Sequence, residues 1–159
     1  MEREKQLPPC PLCLCGKTRN PMAELNKVGL LVQDAAGRVL LCRKDHATSL
    51  LILPGGRIED GETDMECLDR ELAEELGPVA ARNLQWVGVY AGVAHHDDPN
   101  IRKTLEIRLY RGELEGVPTP SGEIRELVWF GRDDDLGLLT PIFVECMLPD
   151  LRRRGIVSW

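Results

Sequence analysis

The chain has 159 residues, 43% of them apolar and 29% charged, with a net charge of −6. That length and mix suit one globular domain with a sizeable core and leave too little chain for two. The acidic balance argues against general binding to nucleic-acid polymers, no apolar run approaches the ~20 residues of a membrane span, and the charged N-terminus lacks a secretory h-region. A cytoplasmic location is therefore the expectation.

Residues 1–23, rich in Pro, Cys and charge, read as an irregular N-terminal arm, and residues 24–159 as the folded domain. In the arm, Cys10 and Cys13 have a zinc-knuckle spacing, with Cys15 beside them. A closed Zn²⁺ site needs four ligands and no second C-x2-C pair exists, so an unliganded reduced cluster is the main reading. Zn²⁺ at Cys10, Cys13 and Cys15, or a transient disulfide, stays open. Cys42, Cys67 and Cys146 fall within expected strands or helices and read as reduced, buried thiols. Cys67 lies one turn before Glu71, so its oxidation could disturb that face.

The domain opens with a strand over Val28–Gln33, a turn at Ala35-Ala36-Gly37, and a hairpin partner over Val39–Arg43. Leu50–Leu53 reads as a short apolar strand leading into Pro54-Gly55-Gly56. A helix should start at Thr63, because Thr63 followed by Glu66 fits a capping box. It should end at Leu76, since Gly77 can take the left-handed position after a helix and Pro78 cannot continue it. At about 100° per residue, Met65, Leu68, Leu72 and Leu76 form one apolar stripe, and Glu71, Glu74 and Glu75 share a neighbouring arc. Further strands are expected over Leu84–Ala91, Lys103–Leu114 and Glu126–Phe130, the first two holding Trp86, Tyr90 and Tyr110 in core or sheet-face positions. Thr140-Pro141 should open a final helix toward Arg154, kinked at Pro149.

Three carboxylates on one helix face repel one another. A hard divalent cation removes that cost, because Mg²⁺ takes oxygen ligands from a few carboxylates and from substrate phosphates. A solvated acidic face is the ordinary alternative for an isolated Glu-rich helix. Here the carboxylates belong to a longer pattern. Gly56, Glu62, Arg70-Glu71, Leu72, Glu74-Glu75 and Gly77 have the spacing G-x5-E-x7-R-E-U-x-E-E-x-G, where U is aliphatic. At average residue frequencies a chance match has a probability on the order of 10⁻⁹ per starting position.

This segment resembles the signature of the Nudix hydrolases, which cleave nucleoside diphosphates linked to a variable group X. The resemblance implies the Nudix fold, an α/β (α+β) arrangement with a mixed β-sheet sandwiched between α-helices. It implies a Mg²⁺ (or Mn²⁺) cofactor held by Glu71, Glu74 and Glu75, with Arg70 orienting one of these carboxylates and Glu62 supporting the loop and helix. The one departure is Pro78, where the family usually has an aliphatic residue; it alters the helix exit and removes no ligand. The implied reaction is hydrolysis of a phosphoanhydride, with a box carboxylate or Glu123 taking the proton of the attacking water. Because the leaving group is already a phosphate, no Ser or Cys nucleophile is needed.

Outside the box, Glu123 leads Glu126 as a recruited carboxylate. Among the basic residues Arg43, Lys44, Arg57 and Lys103, Arg57 is the first choice to contact substrate. The segment His95-His96-Asp97-Asp98 reads as a polar loop, with a second metal or a substrate contact as the alternative. The leading substrate class is a nucleoside triphosphate, with ADP-sugars and dinucleoside polyphosphates next. Two further function classes are a non-catalytic nucleotide-sensing module and an interaction role for the cysteine arm. Homodimerisation is implied by the resemblance alone.

Overall fold

The computed structural model describes residues 23–45, 50–94, 98 and 100–159. Cys10, Cys13, Cys15, His95 and His96 lie outside them, and so do the readings made on those residues. Six strands and two α-helices follow in the order β1 (Leu25–Val32), β2 (Val39–Lys44), β3 (Gly55–Arg57), α1 (Asp64–Leu76), β4 (Ala80–Val93), β5 (Thr104–Glu115), β6 (Ile124–Phe130) and α2 (Leu148–Arg153). Among the described residues, no helix is long and apolar enough to cross a membrane.

Four strands form one mixed sheet in the order β3-β1-β5-β4, with β1 parallel to β5 and the other pairs antiparallel. Alternation along β1 sorts its side chains between two cores. Val28, Leu30 and Val32 face α1 with Leu68, Leu72 and Leu76. Leu31 faces the other way, with Tyr90, Leu109, Phe143, Met147 and the C-terminal Trp159. The sheet is thus covered on both faces, the mixed α+β sandwich that the box implies. Trp86 and Tyr110 meet edge to face at 5.0 Å between ring centres, so these aromatics do belong to the sheet.

Two strand assignments change. β2 is not the hairpin partner of β1, which is already flanked by β3 and β5; it pairs antiparallel with β6 as a second, two-stranded sheet. Only the Gln33–Val39 bridge joins it to the end of β1. Its sequence explains the placement, because Val39, Leu40, Leu41 and Cys42 are all fully buried and alternate between the two cores. A strand buried on both faces reads as a continuous apolar run. Leu50–Leu53 makes only isolated bridges at Leu51 and Ile52, and the regular strand forms one step later at the glycines Gly55–Arg57.

The final helix forms, but through an unusual turn. Phe143–Met147 is π-helical and runs directly into α2, with Pro149 in the first turn of α2. Pro149 has no N–H to donate and its ring would clash with the carbonyl four residues back, so the wider i+5 winding just before it relieves both problems. The irregularity expected at Pro149 therefore precedes it.

Candidate active site

α1 starts as the sequence requires. Thr63 accepts from the Glu66 amide and Glu66 accepts from the Thr63 amide, which completes the capping box. Its end differs. Gly77 has a positive φ of 73° but a ψ of −154°, outside the left-handed helical well. The last carbonyls of α1 are instead met by a downstream loop: the Thr119 amide donates to Leu76 and the Ser121 amide to Glu75, both at 3.0 Å.

The helix is rolled toward its acidic side. Met65, expected in the core, is 37% exposed, whereas Cys67 and Glu75 are buried with Leu68, Leu72 and Leu76. Counted at about 100° per residue, the buried arc is centred roughly 50° away from the leucine stripe, toward the carboxylates. The cause is β3. Two glycines let α1 approach so closely that the carboxylate of Glu71 fills the space a side chain on Gly56 would need. The Gly55 amide donates to Glu75 at 2.9 Å, and the Cys67 thiol points at the carbonyls of Gly56 and Arg57.

Arg70 binds this face together. Its guanidinium donates twice to Glu62, at 2.8 and 2.9 Å, once to Glu71 at 2.9 Å, and once to the Arg57 carbonyl at 3.0 Å. Those hydrogen bonds hold the Glu62 carboxyl down at about 2, and the two carboxylates raise the Arg70 guanidinium in turn. Glu62 also accepts from the Glu59 amide at 2.9 Å, which ties the preceding loop to the helix. Glu74 is the open member, with 61% of its side chain exposed and a long ion pair to Arg70 at 3.8 Å. Glu75 is the reverse case: burial raises its carboxyl to about 7, reinforced by Glu71 and Glu123 and opposed by the Gly55 amide and Lys44.

The face borders a cleft of about 360 Å³ between the β1–β5 surface and the final helix. Its charged lining residues are Lys27, Lys44, Arg57, Glu71 and Glu123. The loop that caps α1 also delivers Glu123, since Gly122 at φ +57° passes tightly over the Glu74 carbonyl and the Asp45 amide donates to the Glu123 carbonyl. The Glu123 side chain is ion-paired with Lys44. Glu126 is elsewhere, paired with Arg43 at 2.8 Å across β2 and β6. Of the four basic residues singled out from sequence, Lys44 and Arg57 line the cleft, and Arg43 and Lys103 do not. Lys27 was missed. Burial, with Lys44 adding to it, lowers its ammonium below the ordinary value. Its one sequence signal was a charge inside the apolar strand LNKVGLLV.

The donor chemistry fits a hard divalent cation: carboxylate oxygens from one helix face, set against the glycines of β3. Among the described residues no three ligating side chains are yet gathered around one point. Glu71 is held by Arg70 and Glu75 by the Gly55 amide, whereas Glu74 is largely exposed beside Arg70.

The description "NUDIX domain" belongs to the family model that matches residues 24–142. A Mycobacterium tuberculosis protein provisionally named 8-oxo-dGTP diphosphatase 2 is 38% identical over 77 residues, 48% of this chain and 50% of that protein. An RNA pyrophosphohydrolase of Rhodospirillum rubrum is 30% identical over 118 residues, 71% of this chain and 63% of that protein. The chain thus spans about half to under two thirds of the curated relatives it matches. In fold it is similar to a MutT protein from Methanosarcina mazei, with a TM-score of 0.65 at 20% identity over 86% of this chain and 99% of that one. Its likeness to that MutT protein is one of fold, and with the family model covering most of its length, the chain belongs to the Nudix hydrolase family.

Proposed function

We propose that this chain hydrolyses a phosphoanhydride bond in a nucleoside diphosphate-X compound, with a nucleoside triphosphate as the leading substrate class. The observation that carries the reading is the meeting of Glu71 of α1 with Lys27, Lys44, Arg57 and Glu123 in one cleft. The names of the two relatives, a diphosphatase and a pyrophosphohydrolase, support the same bond type. Between a free nucleotide and an RNA end, the net charge of −6 favours the small substrate.

Mg²⁺ or Mn²⁺, when bound, supplies charge neutralisation and Lewis acidity at the diphosphate. Glu71, Glu74 and Glu75 would hold the ion, Glu71 and Glu75 from where Arg70 and the Gly55 amide fix them and Glu74 by turning inward. Arg70 fixes Glu71 with one hydrogen bond and is itself anchored by two others to Glu62, and Arg57 reaches substrate from the box. Glu123 takes the proton of the attacking water once its ion pair with Lys44 opens; such help is typically worth about 10²–10⁴-fold. Water then adds to one phosphorus while the bridging oxygen leaves with the departing phosphate.

Product analysis by mass spectrometry tests this, across nucleoside triphosphates, ADP-sugars and dinucleoside polyphosphates with Mg²⁺ or Mn²⁺. Metal-dependent cleavage that disappears in Glu74→Gln is the expected result. Tight binding of one nucleotide without cleavage of any would replace the enzyme by a sensing module.

A further inference from the structure

The cleft has two halves of opposite character. One part of its lining is charged, whereas another is made of Leu53, Leu105, Ile107, Ile142, Phe143 and Met147. Lys27 stands where the two parts meet. On β1 it lies opposite Arg57 of β3, which belongs to the charged part, and opposite Ile107 of β5, which belongs to the apolar part. Side chains alternate along a strand, so Lys27 shares its face with Gly29 and Leu31, away from α1. Gly29 keeps the floor beside it bare, since a Cβ there would already touch Ile107 at 3.4 Å and Leu53 at 3.5 Å.

The two lysines of the cleft are not in the same condition. Lys44 is ion-paired with Glu123. Lys27 lines the same cleft, yet no side-chain hydrogen bond or ion pair within 4.0 Å joins its ammonium to another described residue. A lysine largely withdrawn from water in the middle of a sheet is costly without a counter-charge. An apolar side chain of similar length would close the floor at lower cost. The nearby carboxylates are drawn toward other groups: Glu71 to Arg70, Glu75 to the Gly55 amide and Glu123 to Lys44.

We propose that Lys27 is an anion-binding residue that holds a substrate phosphate on the floor of the cleft, at the junction of the phosphate chain and the group seated in the apolar half. The proposal rests on the hydrolase reading for its substrate. Lys27 acts by binding and orienting; the bond-breaking groups are on α1 and at Glu123. Its place at the junction selects ligands that join an anion directly to a large apolar or aromatic group, over inorganic polyphosphates that cannot fill the apolar part.

The test compares wild type with Lys27→Met, Lys27→Gln and Lys27→Arg. For the best nucleotide of the panel, Lys27→Met should raise KM by about tenfold or more, the loss of one charge-assisted contact, with a much smaller change in kcat. Lys27→Arg should recover part of it. Calorimetric titration of the wild type without divalent metal should detect the nucleoside monophosphate, with about tenfold weaker binding in Lys27→Met. The melting temperature of Lys27→Met should be no lower than that of the wild type, which a structural role for Lys27 would not give; Lys27→Gln takes its place in these measurements if the Met variant does not fold. Unchanged KM and unchanged monophosphate affinity in an active, folded variant overturn the proposal and leave the hydrolase reading standing. A wild type that cleaves nothing overturns the hydrolase reading, and the titration alone then decides Lys27: weaker binding in the variant supports it, and equal or absent binding overturns it.

Discussion

Gly56 and Glu71 compete for one volume: a Cβ on Gly56 would stand 2.1 Å from the carboxyl carbon of Glu71. The glycine of the box is therefore a cradle for a carboxylate. Gly56→Ala should push Glu71 away from β3 and out of its hydrogen bond with Arg70. A displacement of about 1 Å can cost on the order of 10²-fold in rate. Steady-state kinetics beside a thermal melt would check this, and an alanine variant with full kcat/KM would show that Glu71 is not positioned by the glycine.

Glu74 and Glu75 are neighbours with opposite surroundings. Glu74→Ala removes an exposed side chain and should change stability by no more than about 0.5 kcal/mol. Glu75→Ala strips the Gly55 amide of its acceptor in a buried setting and should cost about 1–3 kcal/mol. Glu75→Gln keeps an acceptor and no longer buries a charge, so it should melt at or above the wild-type temperature while losing activity. Urea unfolding of the three variants separates these cases.

The pairing of Glu62 with Arg70 should appear in the pH dependence of stability. The carboxyl is held at about 2, below its ordinary 4.5, chiefly by the Arg70 hydrogen bond. A depressed acid contributes fully above its unfolded value and loses that contribution as pH falls toward the folded one. Glu62→Gln should accordingly lower the urea midpoint at neutral pH, and the gap to wild type should narrow between pH 4.5 and 2. A gap that stays constant over that range would mean the ion pair contributes nothing to folding.

Cys67 should be chemically silent in the native protein. Burial, with the charge of Glu62 behind it, pushes its thiol up to about 12, and Cys42 is pushed up for the same first reason. The thiolate is the reactive species, so neither residue should take up iodoacetamide at pH 8 before unfolding. Peptide mapping after a timed reaction would check it. Rapid native labelling of Cys67 would revive the sequence-based idea of an oxidation-sensitive active-site face.

What could be read from the sequence was local. The capping box needed only Thr63 and Glu66, and the resemblance carried by the Gly56–Gly77 spacing pointed to Arg70 orienting one carboxylate and to Glu62 as a support, without joining the two. The roll of α1 was not legible, because a hydrophobicity count assigns Glu75 to solvent and Met65 to the core. Hydrogen bonding from Gly55 reverses that order, and Gly55 lies twenty residues away. The partner of β2 was hidden for a similar reason. Adjacent strands suggest a hairpin, but β1 had both edges taken, one of them by a strand from far along the chain. Lys27 stood out only as a misplaced charge, and the cleft that gives it meaning is assembled from β3, β5 and the final helix.

That long-range pairing has a consequence for how function arises during folding. Glu24 and Thr104, at the start of the parallel β1–β5 pair, are eighty residues apart in sequence. Closing so long a loop costs entropy before any contact repays it, and such pairings form slowly. β3 and α1 follow β1 closely, so the carboxylate face can condense from neighbouring segments. A nascent chain ending near residue 100 would carry every carboxylate of the box yet lack Ile107, Glu123 and Phe143, and so have nowhere to seat a ligand. Competence should therefore switch on with the last act of folding, when the far half of the chain returns to roof the acids.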